Sequence, residues 1–169
     1  MATPRYQIIE ARHEHVWKLA RRLREEDRVF AAAAGFAPRD LLFRMWRDSP
    51  YRRAAIIDGR VAALWGCYGT LLSPTAEAWL MTGPEIERLP IAFIKEARRE
   101  LAAMLENKVE LLTAVEARSQ RAIGFARILG FDLETPQPSC LTGQLLSLGR
   151  LVRGAAPSVH GLDSRKAAA

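Results

Sequence analysis

Residues 109–131 read VELLTAVEARSQRAIGFARILGF, and the change of rhythm inside this stretch decides the fold. Val109 to Val115 is a continuous apolar run of strand length, the pattern of a strand buried inside a sheet. From Ala122 the period lengthens. Ala122, Phe125, Ala126 and Leu129 fall on one helical stripe, and Gly130 supplies a residue that ends such a helix. Phe131 to Glu134 then starts another extended segment. Strand, helix and strand joined this tightly read as part of a mixed sheet with helices on its faces.

Working back from there, Ala76 to Thr82 (AEAWLMT) predicts a strand and Gly83-Pro84 a break. A long helix follows from Leu89 to Glu106, with Ile94, Ala97, Leu101, Met104 and Leu105 on one stripe. Ala54 to Ile57 and Arg60 to Tyr68 are β-prone runs joined by Asp58-Gly59, a strong hairpin signal. Tyr6 to Ala11 predicts the first strand. Val16, Leu19, Ala20 and Leu23 predict an amphipathic helix, and Ala31 to Gly35 ends in a helix-stop glycine. Pro38 opens the next helix, with Leu41, Leu42, Met45 and Trp46 on one face. Working forward, Gln144 to Val152 predicts a strand antiparallel to Phe131–Glu134. The expected order is β-α-α-β-β-β-α-β-α-β-β, a single α/β domain over residues 1–152. Arg153 to Ala169 reads as a flexible basic tail. Leu112 is expected to be fully buried and Trp79 at least partly so. Turns account for the isolated Gly66, Gly69 and Gly83.

The chain has 169 residues, 49% hydrophobic and 26% charged. That is globular composition with enough length to bury a core without disulfides or metal. Cys67 and Cys140 read as free thiols of a cytosolic protein. The apolar runs are too short to span a bilayer, and the opening MATPRYQIIEAR lacks the apolar stretch of a secretion signal. Net charge is +6, with much of the basic charge in the first sixty residues. These arginines alternate with Glu25, Glu26, Asp27, Asp40 and Asp48, the pattern of solvated helix faces. Aromatic residues do not alternate with them, so a nucleic-acid partner is not expected. Trp17, Phe30, Phe36, Phe43 and Trp46 together exceed the need of two short helices, which predicts self-association or a protein partner through the N-terminal helices, the tail, or both.

Much familiar chemistry is missing from the sequence. His13, His15 and His160 lack metal-ligand spacing, and there is no Cys-x-x-Cys or His-x-x-x-His, so no metal is expected. There is no Gly-x-Ser-x-Gly and no Walker or dinucleotide loop. Cys67 reads as a packed core thiol. Glu77, Glu85 and Glu116 stand near strand ends, where a general base would sit, but read first as surface carboxylates.

Val115 to Phe131, with Ala122-Ile123 and Leu129-Gly130-Phe131 in register, resembles the last helix of the GNAT acyltransferases, which use acetyl-CoA. The strand order from Tyr6 to Val152 looks like the same topology. A narrower resemblance runs through Trp79-Leu80-Met81-Thr82, Ile86, Leu89-Pro90, Phe93-Ile94, Arg98, Gly130-Phe131 and Gly143-Gln144. These residues are similar to GNAT-like proteins of tailed bacteriophages, including an internal virion protein family of short-tailed phages.

The GNAT resemblance implies an Arg/Gln-x-x-Gly-x-Gly/Ala loop around the CoA diphosphate, because several N–H groups must converge there. Thr82 to Pro90 departs from it, with one glycine, two prolines and two glutamates; Arg88 alone compensates. Ser119 stands where the family often has Asn. Ala126 stands where it often has a Tyr general acid. The expectation is therefore a phage or prophage protein of GNAT-like fold, with no cofactor and without catalysis. It would be particle-associated or assist virion assembly among other particle proteins, working in the host cytoplasm or the virion. The alternative is an acetyl-CoA-dependent N-acetyltransferase with a non-standard loop. In that case Met81, Thr82, Gly83, Arg88 and Ser119 would bind acetyl-CoA, with no catalytic residue assigned.

Overall fold

A computed structural model describes residues 5–70, 72–88 and 90–154. Strand β1 (Tyr6–Glu10) is followed by helices α1 (His13–Ala20), α2 (Glu25–Ala33) and α3 (Pro38–Asp48). Strands β2 (Tyr51–Ile57), β3 (Arg60–Tyr68) and β4 (Thr75–Thr82) come next, then a 3₁₀ turn (Pro84–Arg88) and helix α4 (Pro90–Leu105). The chain continues through β5 (Glu110–Glu116), α5 (Gln120–Ile128), β6 (Asp132–Leu133), β7 (Gln137–Pro138) and β8 (Leu145–Val152). The sheet order is β1-β2-β3-β4-β5-β8-β6, with β7 also paired to β8. Every pairing is antiparallel except β4 with β5.

Alternation along the strands divides the core into two layers. Ala54, Ile56, Leu64, Trp79 and Met81 pack with Val16, Leu19, Ala31 and Leu42 of α1–α3. Ala55, Ile57, Trp65 and Ala78 pack on the other face with Phe93, Leu101 and Met104 of α4 and Ala126 of α5. The Asp58-Gly59 hairpin forms as predicted, with φ of 48° and 77°, the left-handed pair that a two-residue turn requires. Gly130 has φ 98° just after α5.

The structure corrects several expectations from sequence. First, three helices stand between β1 and β2 where two were expected: the first ends at Ala20 instead of running through Leu23, and α2 follows as a separate helix. Leu23 is buried in the connection to α2, and the Arg24 N–H donates to the Thr82 carbonyl at 3.0 Å, anchoring α2 to the end of β4. Second, Leu112 is 38% exposed. It shares a sheet face with Leu148 and Val152, which are also exposed, because the three N-terminal helices cover β2–β4 and leave this half of that face bare. Leu111, one residue earlier, fills the core instead. Third, Gly66 lies inside β3, not at a turn. A Cβ there would collide with the Tyr51 carbonyl and reach 3.2 Å from the Trp79 ring. Fourth, Asp27 is not on a solvated face.

Trp79 is buried, as expected, and its indole N–H donates to Ser49 Oγ at 2.7 Å. Cys67 is buried, and burial pushes its thiol up. Trp17 is exposed, while Phe30, Phe36, Phe43 and Trp46 pack partly buried against the α1–α3 core. Among the described residues no helix is long and apolar enough to cross a membrane. The predicted start of the long helix at Leu89, and the tail beyond Gly154, lie outside the described residues.

Candidate functional site

Strands β4 and β5 pair only where Thr75–Glu77 meets Glu110–Leu112. Beyond Glu77 they diverge, and a cleft of about 540 Å³ opens between them. Its walls are Trp79, Leu80 and Thr82 of β4, Thr113 and Val115 of β5, Phe93 and Ala97 of α4, and Phe125 and Ala126 of α5. Phe93 and Phe125 stack with ring centroids 5.7 Å apart. Asp27 and Phe30 of α2 close the cleft from the other face of the sheet.

Asp27 is the chemically distinctive group in this cleft. Its Oδ2 accepts the Thr82 N–H at 2.9 Å and the Thr82 hydroxyl at 2.6 Å. Burial raises its pKa to about 6, while the two Thr82 donors and the Arg24 charge pull the other way. The bond from the Thr82 N–H also shows which way β4 faces. That amide points off the sheet toward the gap, so alternation directs the Leu80 N–H and C=O to the same open edge.

The loop after β4 is built for other purposes than holding phosphates. The Gly83 N–H donates to the Ala62 carbonyl at 2.7 Å, and the Ile86 N–H to the Gly83 carbonyl at 3.3 Å. Pro84 and Pro90 have no N–H to give. Glu85 is buried, ion-paired to Arg22 and 3.8 Å from Arg60. Its Oε2 is buried without a partner. At the open end of the cleft four charged side chains meet. Arg24 lies 3.1 Å from Glu26 and 3.3 Å from Glu87, and Arg121 lies 3.1 Å from each of the same carboxylates.

Two of the five expected cofactor-binding residues line the cleft, Thr82 and Ser119. The Ser119 hydroxyl accepts the Ala122 N–H at 3.2 Å and so caps α5. Met81 is wholly buried in the α1–α3 core. The Gly83 amide is engaged as above, and Arg88 pairs with Asp58 at 2.9 Å, away from the cleft. Glu77 and Glu116 line the cleft; Glu77 is exposed as expected, whereas Glu85 and Glu116 are buried and not the surface carboxylates the sequence suggested, Glu116 accepting the Arg118 N–H at 3.0 Å.

Sequence reasoning missed Asp27, Arg24 and Arg121. The signal for Asp27 was present: four residues after the buried Leu23, and three and four before Phe30 and Ala31, it falls on an inward helical stripe. The neighbouring Glu25 and Glu26 masked it as ordinary first-turn acidity.

The CoA thioester that the sequence resemblance implies fits the residues present in part. The apolar cleft and the open β4 edge suit an amide-bearing pantetheine arm. The β4–α4 loop does not fit the diphosphate, since its Gly83 and Ile86 amides are engaged, Pro84 has none to offer and it carries two carboxylates.

No family model matches the sequence, and no curated protein matches it. Solved structures do match. The spermidine N-acetyltransferase of Vibrio cholerae, solved with CoA and spermine, superposes with a TM-score of 0.63 at 12% identity, covering 87% of this chain and 95% of that one. An N-acetyltransferase of Staphylococcus aureus gives 0.64 at 15% identity, covering 88% and 98%. A GNAT-family acetyltransferase of Bacillus anthracis gives 0.64 at 8% identity, covering 88% and 95%. At these identities the likeness speaks for the fold, and the narrower phage-protein resemblance finds no support in it. The mixed sheet, strands β4 and β5 parting beyond Glu77 and the helices on both faces give this chain the fold of the GNAT N-acetyltransferases.

Proposed function

We propose that this protein is an acyltransferase that moves an acyl group, acetyl in the simplest case, from a CoA thioester to an amine in the cleft between β4 and β5. The observation that carries the reading is Asp27, fixed by Thr82 at the end of β4, where the gap between the strands is open. A carboxylate with pKa near 6 is mostly ionised at neutral pH, yet basic enough to take a proton from an attacking amine.

The bound thioester supplies an electrophilic carbonyl and a thiol leaving group. The Leu80 N–H on the open edge is the donor this cleft offers to a carbonyl oxygen. Asp27 attracts a cationic amine and accepts its proton. Phe93, Phe125 and Val115 exclude water from the reacting groups. Ala126 gives no phenol to protonate the leaving sulfur. Solvent would supply that proton, since a thiol with a pKa of about 8.5 is mostly protonated near neutral pH. The solved relatives support a thioester donor, since one holds CoA. The assembly role has no comparable observation behind it. Incubation with acetyl-CoA and a panel of amines tests the reading. Amine-dependent release of free thiol is expected; its absence across amines of every class contradicts it.

A further inference from the structure

The donor's phosphates need a binding site, and the β4–α4 loop does not provide one. Four charges meet at the open end of the cleft instead. Arg24 and Arg121 approach from opposite sides, one at the start of α2 and the other on the first turn of α5. Both reach the same two oxygens, Oε1 of Glu26 and Oε1 of Glu87, within 3.1–3.3 Å. Two guanidinium groups converging on a pair of anionic oxygens is the arrangement that binds phosphate groups.

The two sides of this cluster differ in how firmly they are held. Arg24 is largely buried, and its backbone is pinned to Thr82. Glu26 and Glu87 are 34% and 54% exposed, so each has solvent beside it to turn into when a phosphate takes over its arginine contacts. On the acyl-transfer reading, on which this inference rests, we propose that Arg24 and Arg121 form the subsite for the donor's phosphates. Glu26 and Glu87 occupy that subsite in the free protein and are displaced when the donor binds. They also tie the end of β4 to the start of α5, so donor binding replaces a link between the two parted strands.

The test compares binding of CoA with binding of pantetheine, which has the same arm and no phosphate, by titration calorimetry on the full chain. The variants are Glu26→Gln/Glu87→Gln, and the same pair with Arg121→Gln. Removing the two carboxylates is expected to tighten CoA binding by about tenfold or more, the size of one strong charge-assisted contact. Pantetheine binding is expected to stay unchanged. Adding Arg121→Gln is expected to abolish the gain. If CoA binds the double variant no more tightly than the parent, or Arg121→Gln leaves the gain intact, the inference is overturned. Pantetheine binding that persists in that case leaves the acyl-transfer reading standing. Failure of both ligands to bind every variant removes both. Thermal melts of each variant confirm folding; these side chains lie at the surface, apart from Arg24, which is left unchanged.

Discussion

The Thr82 hydroxyl lies 2.6 Å from Asp27 Oδ2, across fifty-five residues of sequence. This contact joins helix α2 to the strand end where the sheet opens. A carboxylate that would otherwise face water is thereby held inside an apolar cleft. Its two donors come from one residue, so its orientation depends on Thr82.

Asp27 makes stability depend on pH in a defined direction. Its folded pKa, about 6, lies above its ordinary value of 3.8. Between those values the folded state binds more proton than the unfolded state, so stability falls as pH rises through this window. Asp27→Asn keeps an oxygen for the Thr82 donors and removes the buried charge. Its melting temperature is expected to exceed that of the parent at pH 8 and to lose the acid-side slope between pH 4 and 6.

Thr82→Val removes one of the donors that hold Asp27 as an anion. The Asp27 pKa should rise further, because hydrogen bonds to the charged form lower it. The acid limb of the kcat/KM profile, expected near pH 6 in the parent, should move to higher pH. An unmoved limb would assign it to another group.

Ser49 is buried and relays between two groups. It accepts the Trp79 indole N–H at 2.7 Å and donates to the Met45 carbonyl at 2.6 Å. Ser49→Ala leaves the indole N–H without its partner. The expected loss is about 1–3 kcal/mol in denaturant melts.

Adjacent leucines on β5 should respond differently to truncation. Leu111→Ala opens a cavity in the fully buried layer and should cost about 2–5 kcal/mol. Leu112→Ala, on the uncovered face, should cost less than about 1 kcal/mol. Denaturant melts of the pair test the strand's orientation.

These residues also show where the sequence was legible. Strand and helix periods placed nearly every element, because local rhythm follows backbone geometry. The Asp58-Gly59 turn carried its own conformational requirement. In VELLTAV, alternation sets Leu112 on the face of Glu110 and Leu111 on that of Val109, Thr113 and Val115; reading the stretch as one apolar run hid this, so Leu112 looked central when only Leu111 is. Met81 was carried into the site with its neighbour Thr82, yet strand alternation turns the two side chains to opposite faces. The Arg24–Glu87 and Arg121–Glu26 pairs join segments far apart in sequence, and no local pattern encodes which arginine meets which glutamate. The glutamates in the loop signalled a poor phosphate cradle; the arginines facing them became visible only in the fold.

The most direct measurement of the central claim is acetyl transfer by Asp27→Asn beside the parent protein at pH 8, with acetyl-CoA binding measured in parallel. The account predicts that Asp27→Asn binds acetyl-CoA as the parent does and loses about 10²-fold or more in kcat, the contribution of a positioned general base. Equal turnover by the two proteins at equal donor binding would contradict it.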